Sequence, residues 1–206
     1  MESLRTITGI AVAMLRINID TDQIIPARFL VRTSEEGLGQ ALFYNWAHLP
    51  DGSPDPDFIL NREPWSHATI LLADRNFGCG SSREAAPRAL RQRGFRAIVA
   101  PSFGGIFYNN CFRNGIVPVE LGIEHVREIA AEISRAPGMQ LCVDLERQIV
   151  GTPDGRTLGF RSPALMRRML LEGLDEIALT QTFGAEIRAF RERDAARRPW
   201  AYRTGE

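Results

Sequence analysis

The sequence predicts an α/β fold, and two observations carry that reading. Residues 68–73, 96–101 and 116–121 are short, apolar runs rich in β-branched side chains, separated by stretches of helical character. Such runs are the mark of strands buried on both faces, with helices as the connections. Further on, residues 140–150 and 157–160, joined through Asp154-Gly155, read as a β-hairpin.

The elements follow in order. Residues 7–17 alternate enough apolar and small side chains to make a first strand, and residues 18–26 turn with acids and a proline. Residues 35–64 hold the densest set of turn formers, a loop-rich excursion with a short helix expected at 39–47. The run at 68–73 breaks at Asp74-Arg75-Asn76 into Gly78-Cys79-Gly80. Ser81 and Ser82 then stand as N-cap candidates, 81–86 as a loose turn, and 87–93 as a helix closed by Gly94 in a left-handed C-cap. Helices are expected at 103–114, at Ile123–Arg135, at 163–172 before Gly173, and at 175–179. From residue 182 to 200 the pattern is helical and charged with mixed signs, so 1–181 reads as the domain and 182–206 as a C-terminal helical extension.

Composition sets limits. The chain has 206 residues, 44% hydrophobic and 24% charged, with zero formal net charge. That balance suits one globular domain with a sizeable core and argues against a general nucleic-acid binder, which carries a basic face. No apolar run reaches the ~20 residues of a membrane helix and no signal-peptide pattern opens the chain, so a cytoplasmic location is expected. Every one of the 25 basic residues is arginine. Schiff-base chemistry and a Walker-type phosphate lysine are therefore excluded from this chain. Cys79, Cys111 and Cys142 are widely spaced without a C-x-x-C pair, so they read as reduced thiols and not as metal ligands. His48, His67 and His125 are isolated and read as surface or core residues.

Candidate chemistry concentrates in residues 76–84. A strand running into two glycines, two hydroxyls and the Arg83 guanidinium, with a helix to follow, places anion-binding groups within a few residues of one another. The plainer reading makes Ser81 a helix cap and Arg83 a solvated cation. Upstream, Thr21 and Asp22 are the pair of interest, and a structural reading makes Asp20 or Asp22 an Asx-turn or cap before Ile24.

The stretch Asn76-Phe77-Gly78-Cys79-Gly80-Ser81-Ser82-Arg83-Glu84, with Ala100-Pro101-Ser102-Phe103 and Ile106-Phe107-Tyr108-Asn109-Asn110, closely resembles the 3-isopropylmalate dehydratase small-subunit family, the swivelling domain of the aconitase family as a separate chain. Asn18-Ile19-Asp20-Thr21-Asp22-Gln23-Ile24-Ile25-Pro26, Asp55-Pro56-Asp57-Phe58 and Gly173-Leu174-Asp175 extend the resemblance over most of residues 4–181. It implies a mixed, partly barrel-like sheet with flanking helices, of the β/β/α swivelling-domain type. It also implies a hydro-lyase of leucine biosynthesis that interconverts 2- and 3-isopropylmalate, active only with a large subunit that carries a [4Fe–4S] cluster. Ser81 would be the catalytic base. Ser82, Arg83, Thr21, Asp22 and Arg32 would bind the dicarboxylate substrate, and Phe29, Leu30 and Val31 would form the specificity loop. A phenylalanine and leucine there can equally pin the loop to the core.

One departure stands out. The family usually has His after Ser-Ser-Arg-Glu and often an aromatic three residues later, where this chain has Ala85 and Arg88. The alternative is thus a paralogous subunit for another 2-alkylmalate or citraconate-type diacid. A nucleotide-binding or regulatory module is the remaining alternative: strand, Gly-x-Gly and helix resemble part of a dinucleotide fingerprint, but Arg83 stands where its third glycine belongs.

Overall fold

The computed structural model describes residues 2–30 and 37–202; Val31 and Arg32 lie outside them. Seven strands form one mixed sheet: β1 (Thr6–Met14), β2 (Ile70–Ala73), β3 (Ala97–Ala100), β4 (Val117–Glu120), β5 (Gln140–Asp144), β6 (Ile149–Gly151) and β7 (Thr157–Gly159). Their order is β4-β3-β2-β1-β5-β6-β7. β1 is the seam of the sheet. Its first half, from Thr6 to Ile10, pairs antiparallel with β5, and its second half, from Ala11 to Met14, pairs parallel with β2. β2, β3 and β4 continue the parallel half, and β5, β6 and β7 make an antiparallel meander.

Alternation along β2 and β3 divides the core in two. Leu71, Ala73, Ile98 and Ala100 face one cluster, shared with Phe77 and with Ala86, Ala89 and Leu90 of helix α3. Ile70, Leu72, Ala97 and Val99 face the other, covered by Val126, Ile129, Ala130 and Ile133 of helix α5. Both strands are buried on both faces, which is why they read as unbroken apolar runs.

The helices are α1 (Thr21–Ile24), α2 (Tyr44–Ala47), α3 (Ala85–Arg93), α4 (Gly105–Arg113), α5 (Ile123–Arg135), α6 (Ala164–Glu172), α7 (Glu176–Thr182) and α8 (Gly184–Arg197). α5 has the bounds that its amphipathic spacing predicts, and Gly94 and Gly173 close α3 and α6 in left-handed conformation. α8 buries no residue.

Four local expectations are corrected. α3 starts at Ala85, with Pro87 inside its first turn, where a missing N–H costs no helical bond. Glu84 is its N-cap residue and makes no side-chain cap bond, so neither Ser81 nor Ser82 caps it. The run at 140–150 is two strands, because Leu145 to Gln148 turns; the Asp144 carboxylate accepts from the Arg147 amide at 2.8 Å, and Gln148 has φ 55. The helix expected at 39–47 divides into a 3₁₀ turn and α2, because Phe43 is pulled into the core with φ 50 and its amide donates to Ile24 O at 2.8 Å.

Candidate active site

The loops that leave the carboxyl ends of β1, β2 and β3 meet, the usual position of a ligand site in a parallel sheet. Main-chain bonds continue the pairing beyond the strands. The Gly78 amide donates to Ile19 O at 2.7 Å and the Thr21 amide to Cys79 O at 2.9 Å, which joins the first loop to the second. The Phe77 amide donates to Ser102 O at 3.1 Å and the Gly104 amide to Phe77 O at 2.9 Å, which joins the second to the third.

Glycine is required where these loops approach most closely. Gly78 has φ 73, and a Cβ there would lie 2.2 Å from the Phe107 ring. A Cβ on Gly104 would lie 2.5 Å from Gly78 O. Phe77 is fully buried, edge-on to Phe107 at 5.4 Å, and anchors the whole loop. Asn76 and Asn18 both have positive φ, and Asn76 Nδ2 donates to Asn18 Oδ1 at 2.9 Å.

Between the loops lies a cavity of about 280 Å³, walled by Thr21, Asn76, residues 78–83 and residues 104–107. Ser81 and Ser82 are exposed on it, and neither hydroxyl makes a hydrogen bond to another described residue. The helix start that borders it is that of α4, where Gly104 offers no side-chain cap, so the first-turn amides of Gly105, Ile106 and Phe107 have no intrahelical acceptor. These α4 positions were legible as a motif, but their place in the wall was not. It depends on Gly104 lying against Gly78 across the loops.

Arg83 is largely buried, with a side chain 15% exposed. Its Nη1 lies 2.6 Å from Asp22 Oδ1, its Nη2 donates to Asp22 Oδ2 at 2.8 Å, and Nη1 also donates to Ile25 O at 3.3 Å. The end-on fork is therefore filled. Among the described residues the Nε–H and one Nη2 hydrogen have no acceptor, and they form a second fork of the spacing that a carboxylate takes. Asp20 satisfies the capping reading in this region, since its carboxylate accepts from the Gln23 amide while Gln23 returns a bond to the Asp20 amide.

Phe29 is partly buried on the core and lies 4.8 Å from the Tyr44 ring, with the Arg28 guanidinium over both rings. Leu30 is exposed. The packing of Phe29 agrees with the reading in which it pins this loop.

The cysteines do not form a donor set. Cys79 is in the site loop, Cys111 is buried on α4 and Cys142 is on β5. Burial, and secondly the charge of Asp20, push the Cys79 thiol above its ordinary pKa, and burial pushes Cys111 well above it. Among the described residues no group of three His, Cys, Asp or Glu is arranged for a metal ion. The three cysteines and the other described residues do not fit an iron–sulfur cluster. A larger cavity of about 760 Å³ lies at the far end of α3, beside Leu42, Phe58 and Arg93. The Arg93 guanidinium there already donates to Ser66 O and Leu60 O, at 2.7 and 2.9 Å.

Residues 1–124 match the family model described as the aconitase C-terminal domain, and residues 127–161 a second described as LeuD_N. A protein of Cupriavidus necator named "3-isopropylmalate dehydratase small subunit" is 50% identical over 208 residues, covering all of both chains. The chain belongs to the 3-isopropylmalate dehydratase small-subunit family. Another relative with that name, from Agrobacterium fabrum, is 46% identical over 98% of this chain and all of its own. The fold is similar to the crystal structure of 3-isopropylmalate dehydratase (leuD) from Methanocaldococcus jannaschii. That match has a TM-score of 0.62 at 24% identity and covers 90% of this chain and 99% of the other.

Proposed function

We propose that this chain is the small subunit of a hydro-lyase that interconverts 2- and 3-isopropylmalate in leucine biosynthesis, acting in the cytoplasm as a hetero-oligomer with a large subunit. The [4Fe–4S] cluster belongs to that large subunit in this reading. The single observation that carries the site assignment is the exposure of Ser81 and Ser82 beside an Arg83 whose second fork has no partner among the described residues, in one cavity at the strand ends.

The difficult step is removal of a proton from carbon next to a carboxylate while hydroxide departs. Ser81 Oγ takes that proton and returns it in the hydration direction. A serine hydroxyl is too weak a base unless its alkoxide is stabilised, and the Arg83 charge with the uncapped first turn of α4 supplies positive potential at the cavity. Ser82 donates to a substrate carboxylate and Arg83 grips it through Nε and Nη2. Asp22 holds Arg83 in place. Phe29, Leu30, Val31 and Arg32 make up the loop that meets the alkyl end of the substrate, with Phe29 as its fixed point and Arg32 as a further carboxylate partner. Residues 1–181 are the functional domain and 182–206 an extension.

The test is anaerobic co-purification with the iron–sulfur large subunit, followed by the absorbance of the unsaturated diacid with 2-isopropylmalate and shorter 2-alkylmalates. Turnover that needs both chains and is fastest on isopropylmalate supports the reading. Preference for a shorter diacid would favour the paralogue, and full turnover by Ser81→Ala would remove the proposed base.

A further inference from the structure

We propose that Thr21 is a positioning residue for Ser81 and not a group that touches substrate; the assignment rests on the dehydratase reading of the site. Thr21 is 2% exposed. Its hydroxyl donates to Ser81 O at 2.8 Å and its amide donates to Cys79 O at 2.9 Å. A threonine hydroxyl has one hydrogen to give. Here it is committed to a carbonyl, while a substrate carboxylate only accepts. The remaining Thr21 lone pairs have nothing to offer an anion.

What the two bonds do is fix the main chain around Gly80. That residue has φ +89, and Thr21 holds the carbonyls on either side of it. Glycine has the widest conformational freedom of any residue, so without these bonds the orientation of Ser81 would be set only by the anchors at Gly78 and Arg83. Peptide planarity adds a consequence. In a trans peptide the C=O and the following N–H point in opposite directions. Drawing Cys79 O and Ser81 O towards Thr21 therefore turns the amides of Gly80 and Ser82 away from it. Neither amide has an acceptor among the described residues, and both residues border the cavity. The buried hydroxyl thus fixes where Ser81 stands and aims the Ser82 N–H, while the Thr21 amide aims that of Gly80.

The test uses Thr21→Val, which keeps the shape and loses the donor, and Thr21→Ser, which keeps the donor. In the complex with the large subunit, Thr21→Val is expected to lower kcat about 10- to 100-fold, the scale of a small misplacement of a reacting group, with KM nearly unchanged. Thr21→Ser is expected to restore kcat to within about threefold. In the free full-length chain, the Ser82 amide resonance should move in Thr21→Val and return in Thr21→Ser, while that of Gly80, held through the Thr21 main chain, should move less. A rise in KM at constant kcat would place Thr21 on the substrate and overturn the proposal, as would unchanged amide resonances. Absence of turnover in the wild-type complex, or full turnover by Ser81→Ala, would defeat the functional reading instead. The amide resonances would then still decide whether Thr21 positions the loop.

Discussion

The carboxylate of Asp22 closes on both terminal nitrogens of Arg83, at 2.6 and 2.8 Å, across 61 residues of chain. The carboxylate is half-exposed and the guanidinium is not, so the pair is worth more as a geometric constraint than as surface charge attraction. Asp22→Asn keeps one acceptor and loses the fork. It is expected to lower kcat/KM about tenfold, and to show non-additivity with Arg83→Lys in a double-mutant cycle, because the two changes remove one interaction. Strict additivity of the two effects would mean that Asp22 and Arg83 act separately.

Gly78→Ala tests the close approach on which the cavity depends. The new Cβ would sit 2.2 Å from the Phe107 ring at a residue with φ 73. Overpacking costs about 1–3 kcal/mol and a left-handed alanine about 1–2 more, so the urea midpoint should fall by the equivalent of several kcal/mol. A shift below about 1 kcal/mol would show that the loops relax at little expense.

Thiol reactivity reads out burial. Cys111 should resist iodoacetamide until the chain unfolds, when all three cysteines react. The Cys79 rate should go on rising at a pH about one unit above the ordinary thiol pKa, where an unperturbed thiol has levelled off, because burial and Asp20 both disfavour its thiolate. Early levelling would contradict the structure around Gly80.

Arg156 ties the β6–β7 turn to α5. It bonds to Asp154, to Glu128 at 2.9 Å and to Glu132 at 2.7 Å. The bond from Arg156 depresses the Glu128 pKa, and the Thr152 hydroxyl followed by Arg156 depresses that of Asp154. Folded-state values below the unfolded ones mean stability that is fully present above the ordinary carboxylate range and lost as the pH falls through the lowered values. Arg156→Gln should therefore lower the Tm at neutral pH and converge with the wild type in strong acid. A constant difference across the titration would be the contrary result.

Truncation after Gln181 tests the division of the chain. No residue of α8 is buried, so a chain of residues 1–181 should unfold at a urea concentration close to that of the full chain. A large loss of stability would make residues 182–206 part of the domain.

The sequence by itself determined the local elements whose cause is local. Continuous apolar runs fixed β2 and β3, the 3.6-residue spacing fixed α5, and the glycines at 94 and 173 fixed where α3 and α6 stop. The motif around Ser81 was legible for the same reason, since glycines, hydroxyls and arginine lie side by side in the chain. The tertiary structure alone decided the strand order, the antiparallel pairing of β1 with β5, and the partners of each site residue. Nothing local distinguishes a Thr21 that binds a ligand from one that holds Ser81 O, or an Asp22 that caps a turn from one that grips Arg83. Those choices depend on loops about 60 residues apart being brought together by the parallel sheet, and the closing of such distant contacts leaves no periodic trace in the sequence between them.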